Sequence, residues 1–503
     1  MRTVNYYLRT SGLTLALLAM SFLAGCAGSG GEREVGQSHV DYGDSGTFPV
    51  PDALQDNVDF WRHVYGMWSR GEVAIHDSDH LGVVYEVATL PGPIQASYTS
   101  AQRAYLEART HYHADRLRAL EQRLRSGQTP TAADRDLVAK FERAGGIGTL
   151  YGASERIRLQ RGLRERFRRG VEISGRYDKI FREIMRSHGV PEDLAYLPHV
   201  ESSFQTNARS SVGAGGVWQF MPATGRIYMT VNDSVDERYD PILAADGAAR
   251  YLAQAYGKLG SWPLAITSYN HGQGGMAKAK AQYGTDIGRI VSNYDGPYFG
   301  FASRNFYAEF VAAREVASHP SRYFPEGVRY ESPWPHDRLI LASSMPADHI
   351  ARHYGTSSRV LADLNMHWRN SLRNGARHIP VGTTVWLPHG SKQRAGSPPP
   401  PISTMIARTE PRQKPSTVSR KAVARVEKPR STDSQKRVAA KTAPKSKTKG
   451  KTTKVRYHVV KPQETLYRVA LQNGISVAEL RKLNKMKPND NHIQPGQRLK
   501  VGI

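Results

Sequence analysis

A short helical run that ends in one carboxylate and opens onto a loop of serine, glycine and amide residues constrains this chain more than any other stretch. Pro191 suits a first helical position, Glu192 and Asp193 favour the positive end of a helix, and Leu194, Leu197 and Val200 recur at helical spacing. Glu201 closes the run beside these apolar neighbours, and the chain continues through Ser202, Ser203 and Phe204 toward Pro222. Apolar surroundings raise a carboxyl pKa toward neutrality and produce a general acid at working pH. Glycosidases ordinarily set a second carboxylate at a defined distance from the first. After Glu201 no Asp or Glu appears before Asp233.

Two blocks carry a family pattern. The first holds Glu201-Ser202, Ala208, Ser210, Gly213-Ala214, Gly216, Gln219 and Met221-Pro222; the second runs from Trp262-Pro263-Leu264-Ala265 into Tyr269-Asn270-His271-Gly272. In spacing and order they resemble lytic transglycosylases with a soluble-lytic-transglycosylase (SLT), goose-lysozyme-like domain, specifically the membrane-bound D type that carries LysM modules. The resemblance covers residues 170–320 and implies a mainly α, lysozyme-like catalytic domain (α+β). It also implies cleavage of the β-1,4 bond between N-acetylmuramic acid and N-acetylglucosamine without water, the muramic acid 6-hydroxyl closing a 1,6-anhydro ring. In that scheme Glu201 serves as acid and then as base, and the substrate's acetamido group handles the charge between steps, with no cofactor or metal. By the same resemblance Ser210 orients the acid or the substrate amide. Gln219, Met221 and Asn270 contact the glycan, and Tyr269 stabilises charge or positions the acid. Two positions depart from the family: Ala302 stands where a sugar-binding glutamate is often found, and His271 replaces a small residue.

The N-terminus reads as a secretory signal over residues 1–25, with Arg2 and Arg9 before the apolar run Leu13–Leu23. Leu23-Ala24-Gly25-Cys26 resembles a bacterial lipoprotein processing site, and Cys26 is the only cysteine, so it closes no intramolecular disulfide. The expectation is a lipid-anchored protein at the periplasmic face of the outer membrane, with residues 26–50 a flexible lipidated stretch.

A formal charge of +25 suggests nucleic acid as a partner. Its distribution argues otherwise. Residues 390–456 hold 19 Lys/Arg against Glu410, Glu427 and Asp433, a net +16 in a Pro/Ser/Thr/Lys-rich segment without interleaved aromatics. Such a composition cannot bury a core, so 390–455 reads as a disordered basic linker. The expected partners are peptidoglycan glycan strands and the outer membrane, with no nucleic acid.

With 503 residues, 39% of them hydrophobic, the chain can build several cores. Residues 51–170 read as a hairpin and helical region: Phe60 to Leu90 alternates in strand fashion, and Glu72–Ile75 and Leu81–Val87 flank a turn. His76, Asp77, Asp79 and His80 there read as turn residues rather than metal ligands. Residues 171–325 form the SLT-type domain. Residues 456–503 give a strand, helix, helix and strand that resemble a LysM module. The match implies that Glu464, Thr465, Leu466 and Ile493 line its groove for N-acetylglucosamine-containing chains. Ala351, Gly355, Ser357, Leu361, Leu364 and Asn365 stand 119 positions before Ala470, Gly474, Ser476, Leu480, Leu483 and Asn484, so 335–389 reads as a degenerate LysM-like copy. It carries Met345-Pro346-Ala347 in place of Glu464-Thr465-Leu466. A peptidoglycan lytic transglycosylase active in wall remodelling is the expectation; a hydrolytic muramidase and a non-catalytic wall-binding scaffold are the alternatives.

Overall fold

The structure, a computed structural model, describes residues 46–402 and, within 456–502, all but 461–465, 467, 468, 471, 472, 474, 476, 487–492 and 495. Cys26, Glu464, Thr465 and most of the basic linker lie outside the described residues.

Helix α1 (Asp52–Gly66) starts after Pro51 with Asp52 in its first turn, where the helix dipole favours an anion. It corrects the expected strand from Phe60: Leu54, Val58, Trp61 and Tyr65 recur at helical spacing, and all are buried. Because this helix is enclosed almost all round at its C-terminal half, its apolar run imitates a strand. β1 (Glu72–Asp77) and β2 (Val84–Thr89) form the antiparallel hairpin, and β3 (Ile157–Arg161) completes a three-stranded sheet ordered β2-β1-β3. Asp77 accepts from the backbone of Asp79 and His80, from the Tyr85 hydroxyl and from Arg156, a turn and ion-pair role. α2 (Ser100–Arg125), opened by a Thr99–Gln102 capping box, and α3 (Arg135–Arg143) build a satellite core over the sheet.

From residue 164 the chain is helical: α4 (Arg164–Ser174), α5 (Asp178–Ser187), α6 (Leu197–Glu201), α7 (Pro222–Tyr228), α8 (Pro241–Leu259), α9 (Trp262–His271), α10 (Gln273–Tyr283), α11 (Ile287–Asn293), α12 (Phe301–Ser318) and α13 (Pro320–Tyr323). α8 runs through the middle. Its Ala244, Ala245, Ala248, Ala249 and Ala255 are buried, small enough for neighbouring helices to approach closely. One continuous core joins α1 residues such as Val58 and Trp61 to Phe181, Trp218, Leu252, Phe310 and Phe324. No core boundary falls at residue 170, and α1 belongs physically to the helical body. Phe48 is buried against Phe310 and the Pro49 carbonyl accepts from Tyr307, so the expected flexible stretch docks before its end at residue 50.

Two small units follow. β4 (Asp337–Ile340), α14 (Ala347–His353), α15 (Ser358–Leu364), α16 (Asn370–Arg373) and β5 (Thr384–Leu387) enclose their own core. β6 (Arg456–Val459), the helix Val477–Leu483 and β7 (Arg498–Gly502) repeat the plan. The repetition reaches single hydrogen bonds. Asn365 donates to the Leu361 and Trp386 carbonyls and accepts from the Trp386 amide; Asn484 does the same with Leu480 and Lys500. Each asparagine thereby ties the second helix to the closing strand. The segment expected to begin the linker at 390 is ordered for its first residues: a helical turn spans Ser391–Ala395, and His349 and His353 bond the Pro400 and Ser397 carbonyls.

Asn365 is fully buried, so loss of its side chain strands the Trp386 amide and carbonyl without water, while the Leu361 carbonyl keeps the residue 365 backbone amide. Asn365→Ala is expected to destabilise the chain by about 3 kcal/mol, read as a lowered denaturant midpoint.

Candidate active site

Glu201 is the last residue of α6, a five-residue helix held on three sides. Pro198 occupies its first turn, Leu197 is fully buried, and the ring of His199 stacks on Phe167 at 5.0 Å and lies 4.5 Å from Phe204. Burial pushes the His199 imidazole down to about 3, so the ring packs uncharged against Phe167 and Phe204. After Glu201 the chain turns sharply: Ser203 and Phe204 adopt φ of 51° and 57°. Non-glycine residues in this region cost about 1–3 kcal/mol each and persist only where the surroundings fix them. Here the fixing is visible. Ser202 Oγ donates to the Val217 carbonyl at 2.8 Å, and a Cβ at Gly170 would meet the Ser203 carbonyl at 2.8 Å, so α4 lies directly on the turn.

The Glu201 carboxyl is enclosed by protein, although the residue as a whole keeps part of its surface. Burial raises its pKa to about 8, and the nearby carboxyl of Glu309 adds to the rise. Tyr269, on α9, donates to the Trp218 carbonyl at 3.0 Å and packs edge-on against Phe220 and Tyr251. Its phenol pKa is raised by burial and then by the charge of Glu201, so the hydroxyl lies within electrostatic reach of that carboxyl.

The loop from Ser210 to Met221 covers this centre. Ser210 Oγ accepts from the Ala214 amide at 2.9 Å while the two backbones also pair, so the side chain closes its own turn. Gln219 takes φ 48° and its Nε2 donates to the Gly216 carbonyl at 2.7 Å. Met221, 41% exposed, precedes α7 and presents an apolar side chain to solvent at the loop's edge. Asn270 is exposed, and its Oδ1 accepts from Ser303 on α12 at 2.8 Å. Glu201 and Tyr269 are thus brought together, while Ser210, Gln219, Met221 and Asn270 spend polar atoms on the loop or on α12 or stand at the rim. In the terminal module Leu466 is 1% exposed. The expected groove residue is a core residue, because it packs with Val469, Ala470 and Leu480. Ile493 packs partly against the same core.

Two residues were not foreseen. Glu309 sits seven residues after Ala302 on α12, two turns further along one face, and its pKa is likewise raised by burial. The Tyr65 hydroxyl of α1 points at its Oε2 from 3.5 Å, and the Tyr65 ring stacks on Phe167. The site therefore contains a second carboxyl, absent from the loop but supplied by a distant helix. Spacing along α12 could have flagged Glu309. Nothing in the sequence pointed to Tyr65, which lies far upstream.

Among known proteins, a family model described as the transglycosylase SLT domain matches residues 179–291, and a LysM domain model matches 458–502. Membrane-bound lytic murein transglycosylase D of Escherichia coli strain K12 is 37% identical over 98 residues, covering 19% of this chain and 22% of that protein. Membrane-bound lytic murein transglycosylase F of Stutzerimonas stutzeri is 29% identical over 156 residues, covering 26% and 31%. An inactive variant of the lytic transglycosylase Slt from Pseudomonas aeruginosa superposes with a TM-score of 0.26 at 18% identity, over 38% of this chain and 29% of that one. The chain thus spans about a fifth of the length of the first of these relatives.

Because the folded pKa of Glu201 lies above the ordinary carboxyl value, the neutral form is favoured in the fold. The stability this contributes is complete in acid and is lost as pH rises through about 8. Carboxyl titration by 13C NMR in labelled protein should show the raised group, and Glu309→Gln should lower the Glu201 midpoint by removing a like charge.

Proposed function

We propose that this chain, which carries a transglycosylase SLT domain and a LysM domain, is a peptidoglycan lytic transglycosylase that gives 1,6-anhydro-N-acetylmuramic acid ends and serves wall remodelling. The observation that carries the reading is the enclosed Glu201 carboxyl, its pKa raised by burial to about 8, next to Ser202, which is bonded to the Ser210–Met221 loop at Val217. Its proton passes to the glycosidic oxygen, and the N-acetylglucosamine leaves with a free 4-hydroxyl. The muramic acid 6-hydroxyl oxygen bonds to the anomeric carbon, and its proton returns to Glu201. No water is consumed, and the acid ends each cycle as it began.

Glu309 brings a second buried carboxyl into the neighbourhood of Glu201. Burial raises both groups, and neighbouring carboxyls resist double ionisation, so the pair retains a proton for the acid step. Water activated by the second carboxyl would leave reducing ends, the product difference that separates the two readings.

Cys26 anchors the protein by lipid to the periplasmic face of the outer membrane. In support, the curated relatives are named membrane-bound, and no helix among the described residues is long and apolar enough to cross a membrane. The terminal LysM unit holds glycan through Glu464, Thr465 and the surface near Ile493, while the basic segment serves as a tether that raises the local concentration of strands. Within the SLT domain, Ser210, Gln219, Met221 and Asn270 contact the sugar through the atoms left free at the rim.

Digestion of purified sacculi followed by mass spectrometry tests the proposal. Anhydro-muropeptides are expected; reducing ends would identify a hydrolytic muramidase instead. Glu201→Gln is expected to abolish release while leaving sacculus binding intact, and equal release by variant and parent would leave only a binding scaffold. The rate should fall on the alkaline side with an apparent pKa near 8, as the acid loses its proton.

A further inference from the structure

The degenerate LysM-like unit of residues 335–389 is joined to the helical body by buried polar bonds. Trp386 Nε1, on β5, donates to Asp240 Oδ2 at 2.5 Å, and His367 Nδ1 lies 3.3 Å from the same oxygen. The other Asp240 oxygen caps α8 through the Ile242 and Leu243 amides. The Asp236 amide donates to the His367 carbonyl at 2.7 Å, and the Arg369 amide donates to the Ser234 carbonyl at 2.9 Å. The Arg369 guanidinium spans the join, donating to the Asn232 carbonyl and, at 3.0 Å, to Asp236 Oδ2.

From Asp236 the connection runs inward. Its two oxygens hold Arg238 in a bidentate pair at 2.9 and 2.8 Å, with both residues buried. The remaining nitrogen of that guanidinium donates to the Gly213 carbonyl at 2.8 Å and to the Phe220 carbonyl at 2.9 Å. Those carbonyls flank the segment that carries Gly216 and Gln219. The Arg238 backbone also presses on this segment: a Cβ at Gly216 would stand 1.8 Å from the Arg238 carbonyl oxygen. Gln219 keeps its left-handed backbone inside this frame.

We infer that the degenerate module acts as a fixed brace on the substrate-facing loop, with Arg369 and Arg238 as positioning residues that transmit its hold through Asp236 to residues 210–221. The inference rests on the functional reading above. It gives the module a role separate from sugar binding and explains its direct attachment to the catalytic body. Its Met345 backbone pairs with Ile379 and both side chains are buried, so the segment corresponding to Glu464–Leu466 is committed to the module's own closure.

Arg369 is the accessible link, since its side chain is 41% exposed and Arg369→Ala leaves the Asp236–Arg238 pair in place. In the full-length protein, this variant is expected to show faster hydrogen–deuterium exchange confined to residues 210–221. On soluble glycan strands kcat should drop about tenfold with the melting temperature little changed, as a small misplacement of positioning groups can do. Arg369→Lys keeps the charge without the two-armed fork and should recover part of the loss. Trp386→Phe, which deletes the bond to Asp240, should act in the same direction. Parental exchange and parental kcat in Arg369→Ala would overturn the brace, as would a uniform rise in exchange over the whole helical body. If the parent itself releases no glycan, the functional reading fails, while the exchange comparison still decides the brace.

Discussion

A carboxyl that keeps its proton near neutral pH has to be shut away from water, and this requirement organises the molecule. Glu201 is sheltered by a five-residue helix too short to stand alone. Its position is borrowed from α4 beneath, from α12 alongside and from α1 across the N-terminal region. The enclosing side chains are aromatic or aliphatic, and the polar contacts nearby run mainly to backbone groups. In such a setting the carboxyl of Glu309 is the neighbour whose charge bears on the acid.

The surroundings of the acid are unequal in kind. One flank of its short helix is an apolar stack of Phe167, His199 and Phe204. Above it lies a loop whose conformation depends on hydrogen bonds: Ser202 to Val217, Gln219 to Gly216, and Arg238 to Gly213 and Phe220. The loop holds left-handed residues without glycine's freedom at Gln219, so its shape is imposed from outside. Burial fixes the proton, and directional bonds fix the geometry around it.

The parts legible in the sequence were those written in local periodicity. The run Leu194–Val200 pointed to a helix ending at Glu201, and the Asn365 and Asn484 positions revealed a copied unit whose hydrogen bonds then matched atom for atom. Where burial is nearly all-round, the pattern lost its direction, and the end of α1 imitated a strand. Contacts that join distant segments leave no local trace. Tyr65 approaches Glu309 across 244 residues, and Arg369 reaches Asp236 across 133. Leu466 shows another limit: a position matched to a family groove can belong to the core when its helix turns that side chain inward.

The ring of His199 has a consequence for the environment in which such a protein can work. Most surface imidazoles charge as the medium acidifies, but this one stays neutral until about pH 3 because it is wholly enclosed between Phe167 and Phe204. Mild acidification of the medium therefore places no cation within this stack and leaves its rings undisturbed. A site built against this stack keeps one flank insulated from the acidity of its medium.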